Sequence, residues 1–516
     1  MKLAKSELRL TRCIFVRFIA GIYLIAFISA GSQMLGLYGQ DGILPIDVMV
    51  KSSSQGVSPW LLFLNYPSVF WFDSSDSFLT LVPMIGALAA LFALLGAFCG
   101  PSLFVSWISY LSIVTMGQEF MSFQWDILLC ETGFLTLFLA SWRPFDFGFA
   151  IADKLKLPKW SVDKADPAIA VVWLLRWLLF RLMLQSGICK LASNDPTWSS
   201  LSAMSFHFET QPLPTPIGWL MHHSPAPVHS VETVFVFIFE LLFPFLIFFG
   251  RRSRLIAAVG FILLQILIIL TGNYCFFNWL TIALCLMLVD DNLILKASGN
   301  RLKTLVSAVP KAEFHPVRSR LHLLAVVPLA VLIIFLSTVR QTFNSIGESG
   351  LPAPVYAIVS IFGPWHLVSS YGLFASMTTE RPEISIQGSN DGKNWKEYVF
   401  KYKPGPLDRT PPIVAPMQPR LDWQMWFAAL GSVMQNQWLV SFVECLLKGT
   451  PSVTALLETD PFPGSPPKFI RAVVYDYQVT DIKTLIDTGV WWKREYKGVY
   501  LPPVRLETET ATPGRI

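Results

Sequence analysis

Two acids and two bases lie where an apolar run would be expected to exclude them. Asp126 and Glu131 fall in one such run, and Arg176 and Arg181 in the next. A charged side chain at bilayer depth costs about 2.5–3.5 kcal/mol or more, so each needs a partner. Members of each pair are five residues apart, which puts them about 140° apart on a helix, on different faces. Two antiparallel helices would then match depths as Asp126 with Arg181 and Glu131 with Arg176. Alternatively one such pair forms and a further acid, Glu240, answers the remaining charge. Such pairs do one of two things: they fix helix register as buried glue, or they handle a proton or substrate.

A second group lies in the segment after Arg181. With Asp126 and Glu131, Lys190 and His207 there are the candidates at a suitable depth to act as a base, and Trp198, Glu209, Gln211, His222, His223 and His229 lie near them in sequence. Histidines invite a metal reading, yet no HExxH or comparable ligand spacing occurs, and adjacent histidines in a loop are usually hydrogen-bonded or exposed. No GxSxG, phosphate-loop or dinucleotide spacing appears in a fitting context. The seven cysteines form no CxxC, and six fall in or beside apolar runs. They read as buried small hydrophobes. No cofactor, metal or nucleic acid is expected.

The elements that must hold these residues follow from composition. The chain has 516 residues, 53% hydrophobic and 15% charged, with 40 Phe and 18 Trp. Soluble domains carry roughly 25% charged residues, so an ordinary soluble enzyme, a disordered chain and a disulfide scaffold are all excluded. Nine apolar runs are expected to be membrane helices: 13–37, 78–98, 101–117, 121–141, 168–189, 231–249, 255–271, 276–289 and 321–338. Backbone groups in lipid can be satisfied only within such helices, and a crossing needs about 20 residues. The eighth run is short enough to be tilted or partly re-entrant. Loops on one side carry eighteen Lys and Arg, and the alternate loops only Lys51 and Lys190. By the positive-inside rule the N-terminus is cytoplasmic and the C-terminal third lies outside. The first run lacks a small-residue cleavage site and reads as an uncleaved anchor. The 355–368 segment is apolar but short, and is expected at the interface or packed on the bundle.

Three regions result: a helical bundle over 1–338, an interfacial connector over 339–372, and an outer α+β domain over 373–516. In the last, Ile384 and Ile386 alternate with polar residues before the turn sequence Ser389–Gly392, and Tyr398, Phe400 and Tyr402 follow at every second position, which predicts a hairpin. Further strands are expected over 470–477 and 492–500, helices over 423–430 and 435–447, and a proline-rich connector over 404–419.

Several long motifs resemble the lipase maturation factor family. They include Arg181-Leu-Met-Leu-Gln-Ser-Gly-Ile-Cys-Lys190, Asp195-Pro-Thr-Trp198, His207-Phe-Glu-Thr-Gln-Pro-Leu-Pro214 and Trp219-Leu-Met-His-His223. Gly272-Asn-Tyr-Cys-Phe-Phe-Asn278 and Pro419-Arg-Leu-Asp-Trp-Gln-Met-Trp-Phe-Ala-Ala-Leu-Gly431 fit the same pattern. The resemblance implies a multi-pass membrane protein that helps dimeric lipases fold and assemble, in the endoplasmic reticulum membrane of animals. Its outer C-terminal part would bind the client, with Asp422, Trp423, Trp426 and Phe427 as candidate contacts. The absence of any Asn-x-Ser/Thr sequon suits a bacterial relative in the inner membrane, with a periplasmic C-terminal domain. The expected partners are an exported lipase-like client and membrane lipids. The membrane part is also distantly similar to vitamin-K-dependent γ-carboxylase-like proteins. That likeness implies an alternative: an integral membrane enzyme acting on exported polypeptides or a lipid-soluble cofactor through Lys190 or His207. A transporter is disfavoured because no internal repeat is present.

Overall fold

The computed structural model describes residues 8–146, 167–297, 316–346 and 352–506. Each of the nine apolar runs contains a helix. Among the described residues, seven helical segments are long and apolar enough to cross a membrane: Arg9–Gly31 (α1), Asp76–Leu95 (α2), Cys99–Met116 (α3), Ile169–Ala192 (α5), Ala226–Phe248 (α6), Arg251–Thr271 (α7) and the Leu324–Gln341 part of Pro316–Ile346 (α9). The other two, Gln124–Leu137 (α4) and Phe277–Leu288 (α8), are shorter.

The short helices nevertheless pass between the two ends of the bundle. At one end, Asp291, just after α8, accepts the Leu10 and Thr11 amides at 3.1 and 2.9 Å, and Arg12 pairs with Asp146, beyond α4, at 2.8 Å. At the other end, Asn273, just before α8, and Ser29 of α1 both bond the C-terminal domain. Beyond α4, the Phe98 and Gly100 amides bond the Pro144 and Ser141 carbonyls. This non-helical backbone is satisfied inside the protein, as lipid depth requires.

Small residues let the helices approach. A Cβ on Gly86 of α2 would stand 2.2 Å from the Phe27 ring of α1, a contact that only glycine permits. In α6 the α-helix gives way to a π turn over Ile238–Leu242 and then a 3-10 stretch over Phe243–Phe248. Pro244 has no amide to return to residue 240, so the regular ladder breaks there. The π turn carries Glu240 into the bundle.

The polypeptide then takes a route that the periodicity did not show. Helix Ala353–Phe362 (α10) leaves Tyr356 and Ile361 exposed. Trp365 stacks on Trp107 of α3 at 6.2 Å, and Leu367, Val368, Ser369 and Tyr371 are buried among the bundle helices. The chain threads between α4 and α5 before emerging as the C-terminal domain.

That domain is an antiparallel sheet in the order β2-β1-β5-β6, built from Pro382–Ser389 (β1), Lys396–Glu397 (β2), Phe469–Val479 (β5) and Trp492–Val504 (β6). The predicted hairpin is cut short. After two residues of β2 the chain turns away, and Val399–Phe400 (β3) pairs with Leu457–Thr459 (β4) in a second small sheet. Tyr398 and Phe400 still point into the core, as their alternation predicts. Helices Arg420–Ala429 (α11) and Gln437–Lys448 (α12) pack on this sheet. Buried apolar residues of the bundle and of the domain form one connected core, and burial of apolar surface is the dominant favourable term in holding the two regions together.

Candidate functional site

The candidate residues converge on the seam between bundle and domain. Asp126 is fully buried at the first turn of α4. Both its oxygens accept from Arg420, each at 2.9 Å, and Tyr110 donates a third bond. Arg420 also donates to the Phe120 carbonyl at 2.6 Å. The expected Asp126–Arg181 pair is therefore replaced. Arg181 sits deeper and pairs with Glu131, so the expected Glu131–Arg176 pair is absent too. Counting depth from equal helix starts failed because α4 begins beneath a cover of residues 418–424 from the C-terminal domain. Arg176 is left with the Met287 carbonyl at 2.8 Å and the Trp173 ring at 4.8 Å.

Glu131 anchors the threaded segment. One oxygen takes the Arg181 guanidinium, while the other accepts the Ser369 amide at 2.9 Å and the Tyr371 hydroxyl at 2.7 Å. Arg181 returns a bond to the Ser369 carbonyl at 3.0 Å. Gln185 accepts the Tyr371 amide at 3.0 Å. The backbone amides of Ser369 and Tyr371, the Ser369 carbonyl and the Tyr371 hydroxyl thus each meet a partner on the bundle, as burial of polar groups requires.

Glu240 answers Lys190 and not one of the arginines. Lys190 Nζ lies 3.0 and 2.8 Å from the two Glu240 oxygens and 3.0 Å from the Ser186 carbonyl, beside the Trp198 ring. An ammonium has three donors, and all three are engaged. Lys190 Nζ is thus fully engaged by Glu240 and Ser186.

The segment between α5 and α6 is a cradle for the domain. Trp198 donates to the Phe374 carbonyl at 3.1 Å. Arg381 reaches the Glu209, Gln211 and Pro212 carbonyls. The Glu209 carboxylate accepts the Val479 amide at 2.8 Å, and burial lifts that carboxyl above its ordinary range. Gln211 accepts from the Tyr274 hydroxyl, which also contacts His207 at 3.3 Å. His223 bridges the Trp219 and Thr480 carbonyls at 2.9 and 2.8 Å. Trp426 donates to the Thr210 carbonyl at 2.8 Å.

Two of the four proposed client contacts are interior. Trp423 is 3% exposed and packs on Trp125. Asp422 is buried and clamps the Tyr402 and Lys403 amides at 2.8 and 2.9 Å; burial raises its carboxyl. Trp426 is half-buried, and Phe427 alone presents much of its ring, 43% exposed. Among the described residues, no group of three or more His, Cys, Asp or Glu is arranged to hold a metal ion.

His207 is pushed down to about 4, first by burial and then by the Lys190 charge, and His222 falls to about 4 through burial and its neighbours His223 and His229. Unfolded histidine titrates near 6.5. The unfolded chain therefore takes up these protons first, so stability is full above about pH 6.5 and falls as pH drops towards about 4. Melting of the purified chain is expected to come earlier at roughly pH 5 than at roughly pH 7, with His207→Gln reducing the difference. Equal melting at the two values would show that these rings do not control the seam.

Sequence reasoning missed Arg420, Arg381, Tyr371 and Tyr274. Arg420 and Tyr274 lie within motifs that stood out, but nothing in their spacing pointed to Asp126 as the partner of the first or to Gln211 and His207 as partners of the second.

The fold and seam define a polytopic helical membrane protein with an α+β domain clasped onto one end of its bundle. The lipase maturation factor transmembrane domain model matches residues 10–296, and the lipase maturation factor C-terminal domain model matches residues 367–502. Human lipase maturation factor 2 is 35% identical over 97% of this chain and 84% of its own length, and Xenopus tropicalis lipase maturation factor 2 is 34% identical over 97% and 83%. Mouse lipase maturation factor 1 is 34% identical over 96% and 88%. No solved structure matches. The chain belongs to the lipase maturation factor family.

Proposed function

We propose that this protein is a membrane-anchored maturation factor that holds exported lipases or similar hydrolases while they fold and assemble. Its N-terminus is cytoplasmic, and its C-terminal domain lies in the endoplasmic reticulum lumen or the periplasm. The names of its relatives support a role in lipase maturation. The orientation is supported by charge: the end bearing the domain has few Lys and Arg in its loops, and the opposite end has many.

The observation that carries the client-binding reading is an apolar rim along α11 and the turn after it. Phe427, Leu430 and Met434 are exposed there, and Val440 of α12 is exposed beyond them. Trp423 and Trp426 fix that helix to the bundle, so the rim is presented rigidly. A partly folded hydrolase with uncovered apolar surface suits such a rim. The full engagement of Lys190 argues for binding over base catalysis at that position.

The test keeps the chain whole, because removing the domain would strand Asp126. Cross-linking in native membranes is compared between the natural chain and a Phe427→Ser, Met434→Glu double variant. Recovery of exported hydrolases is expected to fall severalfold in the variant at equal abundance. Recovery unchanged by the variant would defeat the rim as the client site, and no hydrolase recovered with either chain would defeat the maturation reading.

A further inference from the structure

At the end of the bundle away from the C-terminal domain, arginines gather in excess of the acid that pairs with them among the described residues. Arg176 is 5% exposed, and it meets the Met287 carbonyl and the Trp173 ring. Arg254 gives Nη1 to the Phe249 carbonyl at 3.1 Å, while its buried Nε has no acceptor. Arg252 is exposed, and Arg251 is taken by Asp290. Among the described residues, the acid paired with one of these four arginines is Asp290, which takes Arg251. The first turn of α7, which carries three of them, has no side-chain cap, so its amides and helix dipole also favour an anion.

An apolar shelf adjoins this notch. The Trp173 and Phe248 rings lie parallel, 6.4 Å apart at 7°, and both are substantially exposed. Arg176 stacks on the same Trp173 ring, and Arg254 bonds the residue after Phe248. The cations and the shelf are therefore one continuous feature on the outward, lipid-facing side of α5, α6 and α7.

We propose that this notch binds an anionic glycerophospholipid, with its phosphate among Arg176, Arg254 and Arg252 and an acyl chain along Trp173 and Phe248. A desolvated arginine lacking an acid is costly to bury, and a phosphodiester offers the bidentate acceptor it lacks. The aromatic shelf selects a lipid over free phosphate, because inorganic phosphate makes no use of it. Basic pockets between membrane helices hold lipid headgroups in this way.

The test uses the full chain reconstituted in vesicles of equal parts phosphatidylglycerol and phosphatidylcholine, re-extracted gently, with retained lipid read by native mass spectrometry. Preferential retention of phosphatidylglycerol is expected. Arg176→Gln and Arg254→Gln should each lower it about fivefold, the effect of removing one cation at an anionic lipid surface. Arg252→Gln, a change at an exposed position that leaves the packing intact, should act in the same direction, and Lys51→Gln at the opposite end should not. Equal retention of the two lipids, retention unchanged in all three arginine variants, or displacement by inorganic phosphate alone would each overturn the proposal.

Discussion

Arg420→Ala is expected to remove most of the folded protein from the membrane fraction. Asp126 is fully buried, and Arg420 supplies its two charge-assisted bonds. With the guanidinium gone, the Tyr110 hydroxyl remains, and it cannot offset a buried carboxylate. Breaking a buried ion pair on one side costs about 3–5 kcal/mol, a large share of a typical stability of about 5–15 kcal/mol. Arg420→Lys is expected to recover only part, because an ammonium cannot span both Asp126 oxygens and the Phe120 carbonyl in the same planar fork. Removing both charges together, as Asp126→Leu with Arg420→Met, should restore abundance and melting temperature close to the natural chain. Size-exclusion profiles and thermal melts of the four proteins check this. Should Arg420→Ala melt with the natural chain, or the double variant fare no better than the single one, the pair is not what fastens the domain.

Helical runs were legible because they are a local property of the sequence. The polar pairing was not, and the reason is distance along the chain. Arg420 lies 294 residues from Asp126, and Tyr371 lies 240 residues from Glu131. A reading confined to neighbouring spans had only Arg176 and Arg181 to offer. It was right that each buried acid needs a cation: Glu131 does take one from the adjacent helix, though Arg181 and not Arg176, while the cation of Asp126 comes from the C-terminal domain. The same limit explains β3. Alternation at Tyr398 and Phe400 correctly marked an inward face, but the partner strand is β4 and not β1, and period two says nothing about which strand pairs with which. Trp423 shows the converse. An aromatic stripe on a helix reads equally as core or as contact surface, and only the arrival of Phe123 and Trp125 against it decides for core.

Glu131→Leu is expected to release the threaded segment while leaving the ends of the bundle in place. The carboxylate is the shared acceptor for Arg181, the Ser369 amide and the Tyr371 hydroxyl. Leucine fills similar volume, so the loss is one of charge and hydrogen bonding. Arg181, 1% exposed, is then uncompensated, at a cost of about 3–5 kcal/mol. A local reporter is already present. Cys189 is half-buried, and its thiol lies 3.8 Å from the Leu373 carbonyl, while Cys130 is fully covered on α4. If residues 367–373 lift away, alkylation of Cys189 should rise at least about tenfold with Cys130 still protected, the signature of a local opening. Glutamine at 131 keeps an acceptor oxygen for the amide and hydroxyl and should give a smaller rise. Equal labelling of both thiols would mean that the whole bundle unfolds, and no change at Cys189 would mean that the segment is held by its apolar contacts alone. Because the connector that Glu131 holds leads directly into the domain that Arg420 fastens, a rise confined to Cys189 would also show that the two anchors act separately.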